Sequence, residues 1–239
     1  MNILWLDTID STNSEALRRL PELPSGTVLA AREQTAGRGQ RGNAWFSQPG
    51  KNLTFSIVRK FGPGELPASQ AHRLNELLSV VVLRFLEECG VEACVKWPND
   101  IYVNRRKICG MLLENSLDAG GVSASVMGVG LNVNQTAFPQ LANAVSLALC
   151  TGKEYPLEAA LERIVSILES SWPLLGTAEL CAAYSARLFQ KGMPARYRDL
   201  LTDQEFTGVI EGVAPDGRLC IQEGSTQHFY RFKEVSYIL

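Results

Sequence analysis

Histidine is almost missing from this chain: His72 and His228 are the only two in 239 residues. The six cysteines (Cys89, Cys94, Cys109, Cys150, Cys181, Cys220) show no short paired spacing, and two histidines do not complete a ligand set for them. A structural zinc site is therefore not expected, and no residue is assigned to a metal. Most of the cysteines stand in apolar contexts such as Leu149-Cys150 and Leu219-Cys220-Ile221, which predicts buried, reduced thiols. Long apolar runs are also absent. Met1-Asn2-Ile3-Leu4-Trp5-Leu6 is interrupted at Asp7 and reads as a first strand rather than a leader or a membrane span. These absences predict a cytoplasmic protein with no membrane partner. Acidic residues are missing between Glu33 and Glu65, where Arg38, Arg41, Lys51, Arg59 and Lys60 all fall. On a chain of net charge -2, that stretch is a local positive field.

At the centre of the field stands Gly37-Arg38-Gly39-Gln40-Arg41-Gly42, followed by Asn43-Ala44-Trp45-Phe46. Glycines let a backbone turn repeatedly and point several N–H groups into one concavity, which suits an anion. Arg38 and Arg41 add forked, charge-assisted donors for a phosphate or carboxylate. A basic RNA-binding tail is the competing reading, but one copy between strand-like segments is unlike a repeat of that kind. Gly26 to Arg32 and Asn52 to Val58 read as the strands that hold the loop. Trp45-Phe46 reads equally as a hydrophobic plug and as a cover for a nucleobase.

Ser11-Thr12-Asn13 lies at a strand-to-helix turn, where Thr12 and Glu15 fit a capping box. Apolar spacing predicts a long amphipathic helix over Ala68 to Cys89, ended by Gly90. A strand then carries Lys96 into the turn Pro98-Asn99-Asp100; as an edge residue Lys96 would simply snorkel to solvent. Lys107 to Glu114 reads as an antiparallel return strand. On the strand Val122 to Val133, Gly128, Gly130 and Asn132 share one face, which leaves room for another group to approach. Residues 134 to 190 look helical with turn signals, and short strands with glycine turns follow from Gly192.

These motifs, in their order, resemble the biotin protein ligases. The resemblance rests on Ser11-Thr12-Asn13, Gln34 with the glycine loop, Trp45-Phe46, Lys96 to Asp100, Lys107 to Leu112 and Gly128 to Asn132, and covers residues 1 to about 135. It implies an α+β fold: a mixed β-sheet backed by helices, related to class II aminoacyl-tRNA synthetases and lipoate ligases. Residues 1–190 would form that catalytic domain, and 191–239 a small C-terminal SH3-like β-barrel. The resemblance also implies a two-step reaction. Biotin and ATP with Mg2+ give biotinyl-5′-adenylate, whose mixed anhydride a lysine of a biotin carboxyl carrier protein attacks. Ser11, Thr12, Asn13, Gln34, Arg38, Gly39, Gln40, Lys96, Gly128 and Gly130 would bind biotin. Arg38, Arg41, Trp45, Lys96 and Asn132 would bind the nucleotide, with Lys96 and Arg38 as the catalytic cations. Asp100 would place or deprotonate the incoming lysine, or would serve only the turn. Some members carry an N-terminal winged helix and also repress transcription. Here the motifs begin at the first residues, so no DNA partner is expected, and the chain would act as a monomer or homodimer. Lipoate ligation on the same frame is the nearest enzymatic rival. Gln40 departs from the arginine that some members carry at its position.

Overall fold

The computed structural model describes residues 1–238 apart from 140 and 142, and the backbone but not the side chain of Arg41. Seven strands build the main sheet: β1 (Asn2–Ile9), β2 (Thr27–Gln34), β3 (Leu53–Lys60), β4 (Cys94–Lys96), β5 (Asp100–Val103), β6 (Arg106–Asp118) and β7 (Gly121–Leu131). Their spatial order is β1-β2-β3-β7-β6-β5-β4. β1 and β2 run parallel, and the other neighbours are antiparallel. The parallel pair requires a crossover, which α1 (Thr12–Arg18) supplies.

Helix α1 starts one residue earlier than the expected capping box. Ser11 is extended and its hydroxyl accepts from the Ser14 N–H, so Thr12 is already helical and its hydroxyl is left for other partners. Glu15 pairs with Arg18 and Arg19 instead of turning back to the cap. Arg18 also grips both oxygens of Asp10, holding that carboxyl down at about 2, while Asp10 accepts from the Ser11 N–H.

Strand alternation gives the sheet two unlike faces. On one, Phe55, Ile57, Met127 and Val129 pack in the main core with Leu74, Leu77 and Val81 of α2 (His72–Glu88). On the other, Leu29, Val58 and Val126 meet Ala16 and Leu23. That face then changes character along the strands. Ala31, Thr54, Gly130, Gly110, Asp100 and Lys96 are successive cross-strand partners, one rung running from β2 to β4. The next rung on the same face holds Ser56, Gly128 and Leu112. The core face thus closes on helices, while the glycine face stays shallow.

Helix beyond the sheet is less extensive than periodicity predicts. α3 (Leu147–Thr151), α4 (Leu157–Ser171) and α5 (Ala178–Ala186) form, but no described residue from 134 to 146 is helical. Partners across the chain take this segment's polar groups. The Lys107 N–H donates to the Asn143 carbonyl and Val145 N–H to that of Lys107. Asn132 Nδ2 donates to the Val145 carbonyl, and Asn52 Oδ1 accepts from Val133 N–H.

The C-terminal strands β8 (Pro194–Asp199), β9 (Gln204–Val213), β10 (Leu219–Glu223), β11 (Thr226–Tyr230) and β12 (Val235–Tyr237) form an antiparallel sheet in the order β11-β10-β9-β8-β12. Among the described residues β11 and β12 do not pair, so the expected barrel closure is not seen. β12 is three residues long and its strand partner is β8. Rings join the two sheets: Tyr102 to Phe189 at 5.7 Å between centroids, Phe189 to Tyr237 at 6.0 Å and Tyr237 to Tyr197 at 5.5 Å.

Asn52 is buried, accepts from Val133 N–H and donates to Gln135 Oε1 at 2.6 Å. Asn52→Ala orphans the Val133 N–H, at about 1–3 kcal/mol for a buried group, and leaves Gln135 Oε1 with only the Gln48 N–H at 3.0 Å. We expect thermal unfolding to drop by several degrees, at roughly 2–4 °C per kcal/mol for a chain of this size. An unchanged melting temperature would mean that Asn52 does not hold the 132–146 segment.

Candidate functional site

Three buried polar residues begin α1 on the glycine face. Thr12 donates through both its backbone N–H (2.8 Å) and its hydroxyl (3.1 Å) to Gln34 Oε1 at the end of β2. Ser56 Oγ lies 2.7 Å from Thr12 Oγ1 and 2.5 Å from Asn13 Oδ1. Asn13 Nδ2 donates to the Leu112 carbonyl at 3.1 Å and to Glu114 Oε2 at 2.9 Å. Buried polar groups persist where they are hydrogen-bonded, and each of these side chains has a partner. Gly128 makes it possible, since a Cβ there would overlap the Asn13 amide.

The glycine loop folds onto itself. Gly39 N–H donates to the Asn43 carbonyl at 2.7 Å and Trp45 N–H to that of Gly37 at 2.8 Å. Its exit delivers the Trp45 ring onto the rung of glycines. A Cβ on Gly130 would overlap that ring, and one on Gly110 would stand 3.1 Å from it. The half-buried ring therefore lies against bare backbone, and its Nε1 has no hydrogen-bond partner.

A cavity of about 360 Å³ opens over this floor. Ser11, Thr12, Asn13, Gln34, Arg38, Gly39, Gln40, Trp45, Lys96, Gly128 and Gly130 all border it. Asn132 does not; it is buried and holds the Val145 carbonyl. The Arg41 side chain lies outside the described residues.

The cavity also gathers residues to which the sequence motifs assign no role. Lys107 is one: its ammonium is 2.7 Å from Asp100 Oδ1 and 5.6 Å from the centre of the Trp45 ring. Others come from the distant C-terminal sheet, among them Leu200, Phe232, Lys233 and Tyr237.

Each cation in the cavity is held differently. Arg38 forms a fork with Glu114, Nη2 to Oε1 at 2.8 Å and Nη1 to Oε2 at 3.1 Å. Lys96 sits between the rings of Tyr102 and Tyr237, at 5.0 and 5.2 Å, with the Tyr102 hydroxyl 3.3 Å away. Burial pushes its pKa down, Asp100 opposes that and Lys107 adds to it. Burial also raises the Tyr102 phenol to about 12. Asp100 is the only carboxylate among the described lining residues, against Arg38, Lys96, Lys107 and Lys233. Such a cavity suits a ligand with a hydrogen-bonding head at α1 and negative charge over the floor.

Residues 5–132 match the family described as biotin/lipoate A/B protein ligase, and residues 199–232 match the biotin protein ligase C-terminal domain. The chain is 40% identical to the bifunctional ligase/repressor BirA of Salmonella typhimurium, over 93% of this chain and 70% of that protein. It is 31% identical to the biotin–[acetyl-CoA-carboxylase] ligase of Paracoccus denitrificans, over 89% and 91% respectively. It spans about half the length, 54%, of other curated relatives that it matches. Its fold is similar to the biotin protein ligase of Aquifex aeolicus in complex with biotin and ATP. There the TM-score is 0.81 at 26% identity, covering 98% of this chain and 97% of that one.

Gly130→Ala should force the Trp45 ring off the floor, with a cost of about 1–3 kcal/mol for an overpacked site. Removing the ring as well should relieve it, so Gly130→Ala with Trp45→Ala would melt higher than the sum of the single changes allows. Additive losses would show that the ring and the glycine are not in contact.

Proposed function

The chain belongs to the biotin/lipoate A/B protein ligase family, and from that membership we propose that it is a biotin protein ligase. It would join biotin to ATP as biotinyl-5′-adenylate and pass the biotinyl group to a lysine of a biotin carboxyl carrier domain. The observation that carries this reading is the convergence of α1's polar cluster, the bare glycine floor and several cations on one cavity.

The ureido head of biotin needs donors and acceptors fixed in place, which Ser11, Thr12, Asn13 and Gln34 supply. In the first step a biotin carboxylate oxygen bonds to the α-phosphorus of ATP, and the bond to the β-phosphate breaks, releasing pyrophosphate. Two anions must approach, so preorganised positive groups at that point lower the barrier. Arg38, Lys107, Lys96 and the amide at Gln40 serve that need. Lys107 takes the larger share, because its stem crosses directly above Gly110, where a Cβ would stand 2.9 Å from Lys107 Nζ. The Lys96 ammonium is enclosed by two tyrosine rings. Trp45 would face the adenylate from the floor, and Asn132 would act through the segment it holds. Mg2+ would enter as part of the Mg-ATP substrate, held mainly by phosphates. Among the described residues no three of His, Cys, Asp or Glu are placed to hold an ion, and no step here depends on one. In the second step the acceptor amine attacks the anhydride carbonyl and AMP leaves. Asp100 would take the amine's proton.

Residues 191–239 would be the family's small SH3-like domain, set over the cavity mouth through Leu200, Phe232 and Lys233. No described helix is long and apolar enough to cross a membrane. The test is ATP-dependent transfer of labelled biotin to a carrier domain, with lipoate and its carrier in parallel. Transfer of lipoate alone would replace this reading with lipoate ligation.

Two substitutions probe the roles. Lys107→Ala should slow adenylate formation by ~10²–10³, and Lys96→Ala by less. The reverse order, measured by pyrophosphate release from folded variants, would return the leading role to Lys96. Gln40 borders the cavity without adding charge. Gln40→Arg should slow the escape of preformed labelled adenylate in the absence of acceptor. An unchanged escape rate would show that side chain 40 does not meet the phosphate.

A further inference from the structure

The Glu114 carboxylate stands where two ligand-facing segments meet. It accepts from Arg38 Nη1 and Nη2 of the glycine loop and from Asn13 Nδ2 of α1. One N–H on each nitrogen terminus of the guanidinium is therefore engaged, in a planar fork of the kind an arginine offers to a carboxylate or phosphate ligand. The Arg38 side chain is 42% exposed and that of Glu114 26%, so solvent screens the pair and its exchange for another anion is inexpensive. Asn13 is more firmly held. Its amide also reaches the Leu112 carbonyl and Ser56, so it keeps its place when Arg38 leaves. Lys107 repeats the pattern on the same floor, with Asp100 at 2.7 Å.

We propose that Glu114 is a positioning residue that stores Arg38 at the rim of the cavity and yields it to the anionic part of the substrate. The fork holds the glycine loop beside β6 before the ligand arrives, which limits the ordering entropy lost on binding. It also competes with the ligand. An anion that reaches Arg38 must share the guanidinium with Glu114 or displace it, so the resting enzyme binds phosphate less tightly than the same cations would unopposed. Through Asn13, the same carboxylate couples the polar cluster at α1 to the anion contact. This inference rests on the proposed use of the cavity for biotin and ATP.

The experiment measures binding of Mg-ATP, and of neutral biotinamide as a control, by calorimetry to wild type, Glu114→Gln, Arg38→Ala and the double variant. Glutamine keeps an acceptor for Asn13 but gives up the charge of the fork. Glu114→Gln should bind Mg-ATP roughly three- to tenfold more tightly than wild type and biotinamide equally well. In the Arg38→Ala background the gain should disappear, whereas a general loss of negative charge would act with or without the arginine. Glu114→Asp, with the carboxylate drawn back by one methylene, should give a smaller gain and guards against a glutamine variant that does not fold. The proposal is overturned if Mg-ATP binds no more tightly in the folded variants, if the gain survives Arg38→Ala, or if biotinamide shifts by the same factor. Wild-type protein that binds neither ligand would overturn the biotin ligase reading itself, and this one with it.

Discussion

Gly110 and Gly130 are direct partners across β6 and β7, and the open face of the sheet is arranged around the space they leave. A side chain on either would meet the Trp45 ring, and one on Gly128 would meet Asn13. Because backbone alone forms the floor, an indole and an asparagine can lie flat on a sheet whose other face is packed with helices. The same rung carries Asp100 and Lys96 at its far end. The sheet's hydrogen-bond register thus sets the spacing between the polar cluster at α1 and the charged groups over β5 and β6. A one-residue slip would turn all of these groups to the core side.

Strand parity explains both what the sequence exposes and what it conceals. Gly128 and Gly130 alternate regularly along β7, so their shared face is legible from spacing alone. Lys107 and Gly110 are three apart, and in a regular strand they would point to opposite faces. The register shifts between Ile101 and Tyr102, which pair with Cys109 and Lys107. That bulge at Ile108 brings Lys107 onto the glycine face, and nothing in local composition announces it. The contributions of Leu200, Phe232, Lys233 and Tyr237 were hidden for another reason: they come from a second sheet whose docking depends on ring contacts distant in sequence. The missing helix in 134–146 has the same origin, since Lys51 and Lys107, far back in the chain, take its backbone groups.

Two of the cations at the cavity are held by carboxylates. Arg38 with Glu114 and Lys107 with Asp100 are each partly exposed, so neither cation bears the full cost of burial. Lys96 differs: it has rings instead of a carboxylate and a lowered pKa from burial. Tyr237 belongs to β12, so the C-terminal sheet directly sets the environment of a lysine on β4. The two sheets therefore share one electrostatic site, and a change in how they dock would alter the charge available at the floor.

The Trp45 indole, resting on Gly130 with the Lys107 ammonium 5.6 Å from its centre, gives the cavity its own optical probe. Of the chain's four tryptophans, Trp45 and Trp97 line the cavity, while Trp5 and Trp172 lie beneath the guanidinium groups of Arg32 and Arg59. Emission from an indole follows the polarity and charge around it. A ligand that draws Lys107 away or dries the floor will change the colour and intensity of the protein's own fluorescence, so occupancy can be followed in unlabelled protein.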